Sequence, residues 1–399
     1  MKNLILLFLV LISSGLPLFS QSSKTRFGKG VYLMAPDSSM DVVFSARFQT
    51  LFDFSQTLLD GKLLDDFEGK MMIRRARLKF DGFVFNPRIK YKFELGLSNR
   101  DIGLGKPGND NRNFNTASNI VFDAVLKYKY GKKAEIWIGQ TKLPGNRERV
   151  ISSRALQFVD RSLVNAYYNL DRDVGIQWRH KFQIGKMEIR ELAAISLGEG
   201  RNVTSATNNG FGYTARLEFL PFGTFKSKGD YFGSDLEREQ TPKLSIGLVY
   251  DYNDEAVRSH GRLGSFLSAP RDLETFQADL MFKYKGFSVE SEYSMRETDD
   301  PVVLQDTLTG KVEAFVTGQG ISVQGGYLLP SNYEIAARCT YIDAEDETPG
   351  LRDETMYTLC VSKYIVKHSL KIQSDFSVRE REGSDALDLG FRFQVEMQF

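Results

Sequence analysis

The sequence is poor in the residues that build disulfides, metal sites and catalytic centres. Its 399 residues include only two cysteines and three histidines. None of His180, His260 and His368 lies in a recognisable nucleophile context or at a metal-ligand spacing. We therefore expect no cofactor and no enzyme activity. The least favoured alternative is a barrel enzyme that uses a carboxylate as its base. Lysine and arginine number 52 against 51 aspartates and glutamates. This balance leaves no bulk charge to attract nucleic acid.

Long hydrophobic runs are also missing. The longest extends from Leu4 to Ile12, about half of the ~20 apolar residues that a membrane-spanning helix needs. It follows Lys2 and precedes small polar residues, which is the order of a secretory signal peptide cleaved near Ser20. We therefore predict a signal peptide over residues 1–20 and one exported domain over residues 21–399. If that domain lies in a membrane, it crosses as a β-barrel.

In place of long runs, the sequence has sustained alternation of apolar and polar residues. From Leu387 to Phe399 every second residue is apolar, and the same pattern recurs over Ile89–Leu97 and Phe276–Tyr284. A period of two predicts a strand with one dry and one wet face. Strands with a lipid-facing and a water-facing side are typical of bacterial outer-membrane barrels.

Sixteen segments of this kind predict an all-β fold, a transmembrane antiparallel β-barrel of about 16 strands. An even number returns both termini to the periplasm, and the connections alternate between short turns and long outer loops. The connection 221–242 is the exception, being long where a short turn is expected, and it is either a periplasmic elaboration or a miscounted strand. The predicted strands begin near Val42, Met71, Ile89, Asn119, Lys133, Asp173, Met187, Phe211, Lys243, Phe276, Phe287, Phe315, Asn332, Glu354, Ser369 and Leu387.

Alternation also makes local predictions. Cys339 and Cys360 fall on opposite faces of their strands, which argues against a disulfide in spite of the oxidising envelope. Arg74 falls on the lipid face, where we expect its side chain to extend to the membrane interface. The glycines between Gly318 and Gly326 lie on one inner wall and are expected to leave room for water.

The candidate functional residues are basic. The longest outer loop follows Thr141, and its apolar residues predict that it folds against the inner wall with its guanidinium groups facing solute. Arginine suits anions because its fixed fork of donors matches phosphate and carboxylate oxygens. The alternative is that these are solvated loop charges, half of them neutralised by neighbouring acids. The loop candidates are Lys142, Arg147, Arg149, Arg154 and Arg161.

A second basic strip lies on the predicted inner face of the strand that begins near Met71. Arg75, Arg77 and Lys79 alternate there with apolar residues, and basic residues repeat on the inner faces of the strands that follow. We expect these side chains to line a pore. The alternative is that lumen charges of both signs merely pair across strands, with Glu94 and Asp123 as the acidic partners.

Three segments resemble the phosphate-selective porin O and P family: RRARLKFDG at 74–82, IGQTKLP at 138–144 and SSRALQFVDRS at 152–162. The resemblance implies a sixteen-stranded pore whose third outer loop folds inward, a channel lined by basic residues that passes phosphate or other anions, and a homotrimer. A chain that ends on Phe399 also resembles the C-terminal signal read by the barrel-assembly machinery. The sequence departs from the family in lacking a dense lysine cluster at the outer mouth.

Together these observations predict passive diffusion of small anionic solutes such as phosphate across the bacterial outer membrane, by a protein surrounded by outer-membrane lipids. Two alternatives stay open. One is a general, weakly selective porin, and the other is a plugged barrel with a structural or adhesive role. A plugged barrel predicts that the inner polar residues all pair with one another, whereas a pore predicts that they leave open water between them.

Overall fold

The computed structural model describes residues 27–98, 120–203, 209–306, 310–345 and 351–399. Within this part of the chain, sixteen strands close into one antiparallel barrel, because the last strand pairs with the first as well as with its predecessor. The predicted fold class and strand count are confirmed. The predicted signal peptide, residues 1–20, lies outside the described residues.

The barrel strands follow the predicted segments closely, except that the tenth begins at Phe266 and not near Phe276. Every strand pairs with its neighbour in sequence, so the chain runs up and down around the barrel. The strands are β1 (Asp41–Leu59), β2 (Glu68–Val84), β3 (Asn86–Gly96), β4 (Val121–Tyr130), β5 (Ala134–Lys142), β6 (Arg172–Ile184), β7 (Met187–Ser196), β8 (Gly212–Leu220), β9 (Lys243–Arg258), β10 (Phe266–Tyr284), β11 (Phe287–Glu297), β12 (Gly318–Leu328), β13 (Tyr333–Ala344), β14 (Glu354–Val366), β15 (Leu370–Arg381) and β16 (Leu387–Gln398).

Short elements lie in the connections. Val31–Met34 and Lys62–Leu63 pair with β1 beside the barrel, and Val302–Asp306 pairs with Lys311–Ala314 in the loop after β11. The α-helical segments are α1 (Arg147–Val150) and α2 (Leu163–Tyr168), and two 3₁₀ turns cover Ser153–Ala155 and Lys226–Tyr231. No helix in the described ranges is both long and apolar enough to cross a membrane.

The distribution of polarity is the reverse of that in a water-soluble protein. Ile138, Ile176 and Leu359 are each more than half exposed, whereas Gln277 and Gln394 are completely buried. Apolar side chains point outward and polar ones inward, as expected of a barrel surrounded by lipid. Cys339 is exposed and Cys360 is buried, both as free thiols, so the two lie on opposite faces as alternation predicts.

The third outer loop, residues 143–171, folds into the lumen and packs against the strands on the far side. The side-chain amide of Gln157 donates to Ser288 of β11 at 2.9 Å and to Glu334 of β13 at 2.8 Å. Lys371 of β15 donates to the carbonyl oxygen of Leu156 at 2.8 Å. The predicted inward fold of this loop is therefore confirmed.

Two glycines of β12, Gly320 and Gly326, lie against this loop. A Cβ atom added at Gly326 would lie 2.5 Å from Nε2 of Gln157, and one added at Gly320 would lie 3.2 Å from a methyl group of Val164. A larger side chain at Gly326 would displace Gln157, and one at Gly320 would collide with Ile342 of β13 and crowd Val164. The expectation that the glycines of this wall leave room for water is therefore wrong for Gly320 and Gly326.

The long connection 221–242 enters the lumen from the end of the barrel that carries the short turns. Phe225 packs with Ile151 and Leu156 of the third loop, and the amide of Gly233 donates to the carbonyl oxygen of Ala155 at 2.7 Å. Lys283 of β10 donates to the carbonyl oxygens of Gly229 and Phe232, each at 2.8 Å. No strand was miscounted, and we call this segment the inner connection. With the third loop it packs into the part of the lumen beneath β8–β15.

Candidate functional site

The wall that remains open, β2–β6, is shaped by two β-bulges. In the first, Gln49 pairs with Arg75 and Thr50 pairs with Ile73, so Arg74 is the extra residue of β2. A bulge turns an additional side chain to one face of the sheet. Arg74 is almost completely buried and forms an ion pair with Asp160 of the third loop. The prediction that Arg74 faces lipid is therefore wrong.

The second bulge lies in β4. Glu94 pairs with Asp123 and Leu95 pairs with Val121, which leaves Phe122 as the extra residue. Its ring enters the lumen and carries three guanidinium groups over it, at distances from the ring centroid of 4.2 Å for Arg77, 4.8 Å for Arg172 and 4.0 Å for Arg201. This bulge therefore places an aromatic platform among the basic side chains.

Open space runs between the third loop and β2–β6. A cavity of about 550 Å³ is followed toward the short-turn end by one of about 140 Å³. Both are lined by Arg77, Lys92, Glu94 and Ser152, so the two cavities adjoin, and we call the space that they occupy the passage. We call them the upper and lower cavities.

The upper cavity is strongly basic. Among the described residues that line it, ten side chains are basic and four are acidic. An excess of positive charge with low-dielectric walls raises the local concentration of anions. The basic residues are Arg75, Arg77, Lys92, Lys127, Lys142, Arg149, Arg161, Arg172, Arg179 and Arg201, and the acidic ones are Glu94, Asp123, Asp160 and Asp171.

The predicted residues of β2 lie along this passage. Arg75 donates to Gln49 and lies 4.0 Å from Asp160. Arg77 forms an ion pair with Glu94 at 3.1 Å. Lys79 lines the lower cavity and pairs with Asp81.

Two predicted loop cations bind carbonyl oxygens in place of carboxylates. Nζ of Lys142 donates to the carbonyl oxygens of Arg149 at 2.6 Å and of Val150 and Ile151 at 3.1 Å. Arg161 donates to those of Glu148 and Ile151, both at 2.8 Å. Both cations thus stabilise the carboxyl end of α1. Burial and the neighbouring Arg149 lower the pKa of Arg161 to about 9, so it is still charged at neutral pH.

Arg149 lines the upper cavity and pairs with Asp171, with 2.9 Å between Nε and Oδ1. Burial opposes the charged form of Asp171, but the guanidinium groups of Arg149 and Arg172 hold the pKa of its carboxyl below the ordinary value. The carboxylate therefore stays ionised and fixes the orientation of both arginines.

Arg154 lies at the exit of the passage. It lines the lower cavity and also a separate cavity of about 380 Å³ beside the inner connection. The guanidinium carbon lies 6.0 Å from the centroid of the Phe232 ring. Arg154 forms no ion pair with any described residue, so its charge faces both cavities.

Arg147 requires a correction, because it does not reach the passage. It is completely buried against the far wall, 2.7 Å from Asp279 of β10 and 3.7 Å from Glu218 of β8. Its Nη2 atom also donates to Ser245 of β9 at 2.9 Å. Arg147 tethers the loop, whereas Arg149 two residues later faces the open space.

A family model for phosphate-selective porin O and P matches residues 45–399. The chain belongs to this family. The protein is accordingly an outer-membrane porin, which confirms the resemblance seen in the sequence.

Solved structures that resemble this porin are outer-membrane proteins. A loop-deletion mutant of OmpT from Vibrio cholerae has a TM-score of 0.56 at 13% identity and covers 90% of this chain and 99% of its own. The channel DcaP of Acinetobacter baumannii has a TM-score of 0.53 at 12% identity and covers 93% of this chain and 100% of its own. An anion-selective porin from Comamonas acidovorans has a TM-score of 0.52 at 10% identity and covers 90% of this chain and 100% of its own. At these identities the likeness supports the fold alone. No curated protein sequence matches the porin significantly.

Sequence reasoning missed three residues of the porin's passage. Phe122 enters through a bulge, which alternation does not show. Trp137 lies two residues after Glu135 in β5, and this spacing predicts that both side chains face inward. Aromatic residues in barrel strands usually face lipid, however, so the ring was not recognised as part of the passage. Arg201 comes from the fourth outer loop, and no feature of the sequence pointed to it.

Proposed function

We propose that the porin conducts small anions, phosphate among them, by passive diffusion through the passage between the third loop and β2–β6. The observation that carries this proposal is the excess of ten basic over four acidic side chains around the upper cavity. A lining of fixed cations lowers the cost of the water that an anion sheds when it enters a narrow space. Arginine adds a fork of donors that matches phosphate oxygens.

The arrangement of the acids supports weak rather than tight binding. Glu94 and Asp123 lie 3.1 Å from Arg77 and 3.2 Å from Arg172, so these arginines are oriented and partly neutralised. Conduction requires sites that attract an ion and also release it. Several weak sites in sequence therefore suit transport of an anion better than one strong site.

The proposed roles divide the predicted residues by position. Arg75, Arg77, Arg149 and Arg161 attract anions in the upper cavity, and Lys142 holds the carboxyl end of α1. Lys79 and Arg154 attract them at the exit. Arg147 has no part in conduction and acts on the passage only by fixing the loop.

We also propose that the porin is a homotrimer in the outer membrane, exported after cleavage near Ser20 and assembled through the strand that ends in Phe399. One of the similar structures is described as a trimer form of OmpT, and family members are expected to share this arrangement. Cross-linking of the porin in native membranes should give a species of three chains. A single-chain species under the same conditions would contradict the trimer.

The proposed function is tested by the reversal potential of the purified porin in a planar bilayer under a KCl gradient, repeated with phosphate. We expect anion preference, with phosphate reducing the chloride current. Conductance without charge preference would support a general, weakly selective porin. Absence of conductance would support the plugged barrel.

A further inference from the structure

A second aromatic ring, that of Trp137, lies closer to the short-turn end of the passage than Phe122 and contacts two cations. Nζ of Lys127 lies 3.8 Å from the centroid of the Trp137 ring, and the guanidinium carbon of Arg179 lies 3.9 Å from it. The three residues come from the neighbouring strands β4, β5 and β6, and Lys127 pairs directly with Trp137. The arrangement is thus built into the sheet and does not depend on a loop.

The two cations differ from those around Phe122 in their partners. Neither Lys127 nor Arg179 forms an ion pair with a carboxylate of the described residues. Arg179 donates to the side-chain oxygen of Gln177 at 2.9 Å, and its buried Nε has no hydrogen-bond partner in the described part of the chain. No direct ion pair within the described residues therefore neutralises either cation.

The carboxylate directly opposite Arg179 in the sheet is bound by the tryptophan itself. Glu135 pairs with Arg179 in the β5–β6 register. Its Oε2 atom nevertheless accepts a hydrogen bond of 2.9 Å from the indole Nε1 of Trp137. The ring face attracts the two cations while the ring nitrogen holds the acid that would otherwise neutralise one of them.

The distinction matters because an aromatic ring carries no net charge. Its quadrupole attracts a cation and fixes its position. A carboxylate would fix the cation equally well but would also cancel the field that an approaching anion experiences. An aromatic ring can therefore order a basic site without reducing its positive potential.

We propose that Trp137 is a positioning residue for anion selectivity, and that it holds Lys127 and Arg179 as an uncompensated pair. This pair forms a separate binding station for phosphate-type or carboxylate-type oxyanions, closer to the periplasm than the Phe122 platform. The inference rests on the proposed anion conduction and adds to it the residues that maintain the charge of the lower part of the upper cavity.

The experiment measures the reversal potential of Trp137→Leu, Trp137→Phe and the wild-type porin under the same KCl gradient. We expect Trp137→Leu to lower the anion-to-cation permeability ratio about two- to fivefold, since a cation–π contact is worth about 0.5–1 kcal/mol. Trp137→Phe keeps a ring face but loses the N–H donor, so its loss is smaller. Trp178→Leu is the matched control, because Trp178 is the other of the two tryptophans and stacks on His180 at an exposed position.

A second pair of variants separates positioning from a general effect on structure. If Trp137 keeps Glu135 away from Arg179, then Glu135→Gln raises the permeability ratio more in the Trp137→Leu background than in the wild type. Arg179→Gln leaves the indole in place and should reproduce the loss. Heat-dependent gel migration confirms that each variant folds.

The outcomes distinguish the inference from the proposed function. An anion-selective wild type with an unchanged ratio in Trp137→Leu and Arg179→Gln would overturn the inference and leave the proposed function intact. Equal effects of Glu135→Gln in both backgrounds would overturn the positioning role. A wild type without anion preference would overturn both.

Discussion

The two halves of the lumen use the same residue types in opposite ways. Beneath β8–β15, Arg147 is bound to Asp279, and Arg296 donates to the carbonyl oxygens of Tyr167 and Tyr168 at 3.0 Å. Next to β2–β6, in contrast, cations lie over Phe122 and Trp137 and face open space. An inward-facing arginine is thus a tether where it is enclosed by acids and carbonyl oxygens, and a candidate solute ligand where it also lines an open cavity.

The largest expected effect comes from emptying the filled half. Replacing residues 224–240 by a short Gly-Ser turn, together with Lys283→Met, removes the packing of Phe225 on Ile151 and Leu156. We expect a severalfold rise in single-channel conductance, because a second route opens beneath β8–β15. The methionine avoids leaving a buried lysine without its carbonyl partners. Unchanged conductance in a folded variant would mean that the inner connection does not close this half.

A smaller effect is expected from cutting one tether. Arg147→Ala leaves Asp279 and Glu218 with one cation fewer, and removing one partner of a buried ion pair costs about 3–5 kcal/mol. We expect a noisier and larger single-channel current, as the loop leaves the far wall. Arg149→Ala is the matched control, two residues away on the open side, and should change selectivity with little effect on noise. The same behaviour in both variants would contradict the assignment of the two arginines to different halves.

Within the open half, replacing a single cation should change selectivity while the barrel stays folded. We expect Arg161→Ala to lower the anion-to-cation permeability ratio about twofold, since each fixed charge contributes a fraction of the pore's potential. Exposed Arg88, near the turn after β2, provides the control substitution Arg88→Ala. Circular dichroism during heating checks that the barrel is intact, and a ratio equal to that of the control would remove Arg161 from the conducting site.

The smallest expected effect is on pH dependence. Because the pKa of Arg161 is about 9, lowered by burial and by Arg149, its charge is present at pH 7 and is lost as the pH rises through 9. Anion preference should therefore fall between pH 8 and about 9.5, below the usual range of guanidinium titration. The comparison is with Arg161→Gln, whose ratio should vary less over the same range. Parallel curves for the two proteins would contradict this role of Arg161.

Much of this comparison was accessible from the sequence. Period-two alternation predicted all sixteen strands, the opposite faces of Cys339 and Cys360, and the inward-facing Arg75, Arg77 and Lys79. These follow from local geometry, since a strand puts alternate side chains on opposite faces whatever lies around it. The apolar residues of the third loop indicated correctly that it packs inside the barrel.

The errors arise where one residue changes the register or where a distant segment decides the outcome. Arg74 and Phe122 are the extra residues of bulges, and strict alternation assigns such residues to the wrong face. Arg147 and Arg149 belong to the same basic stretch of the loop, and the sequence does not distinguish them. Only the structure shows that Arg147 contacts Asp279 whereas Arg149 lines the cavity. The inner connection and two glycines of β12 pack against a loop that lies more than 50 residues away in the chain, and local sequence patterns do not show such contacts.

The most direct test of the open and filled halves is block of the current by an anionic thiol reagent. In a background with Cys339→Ser and Cys360→Ala, Ser152→Cys places a thiol where the upper and lower cavities meet, and Ser288→Cys places one beside Gln157 in the filled half. We predict rapid loss of current for Ser152→Cys and no effect for Ser288→Cys. Block at position 288, or no block at position 152, would contradict the location of the passage.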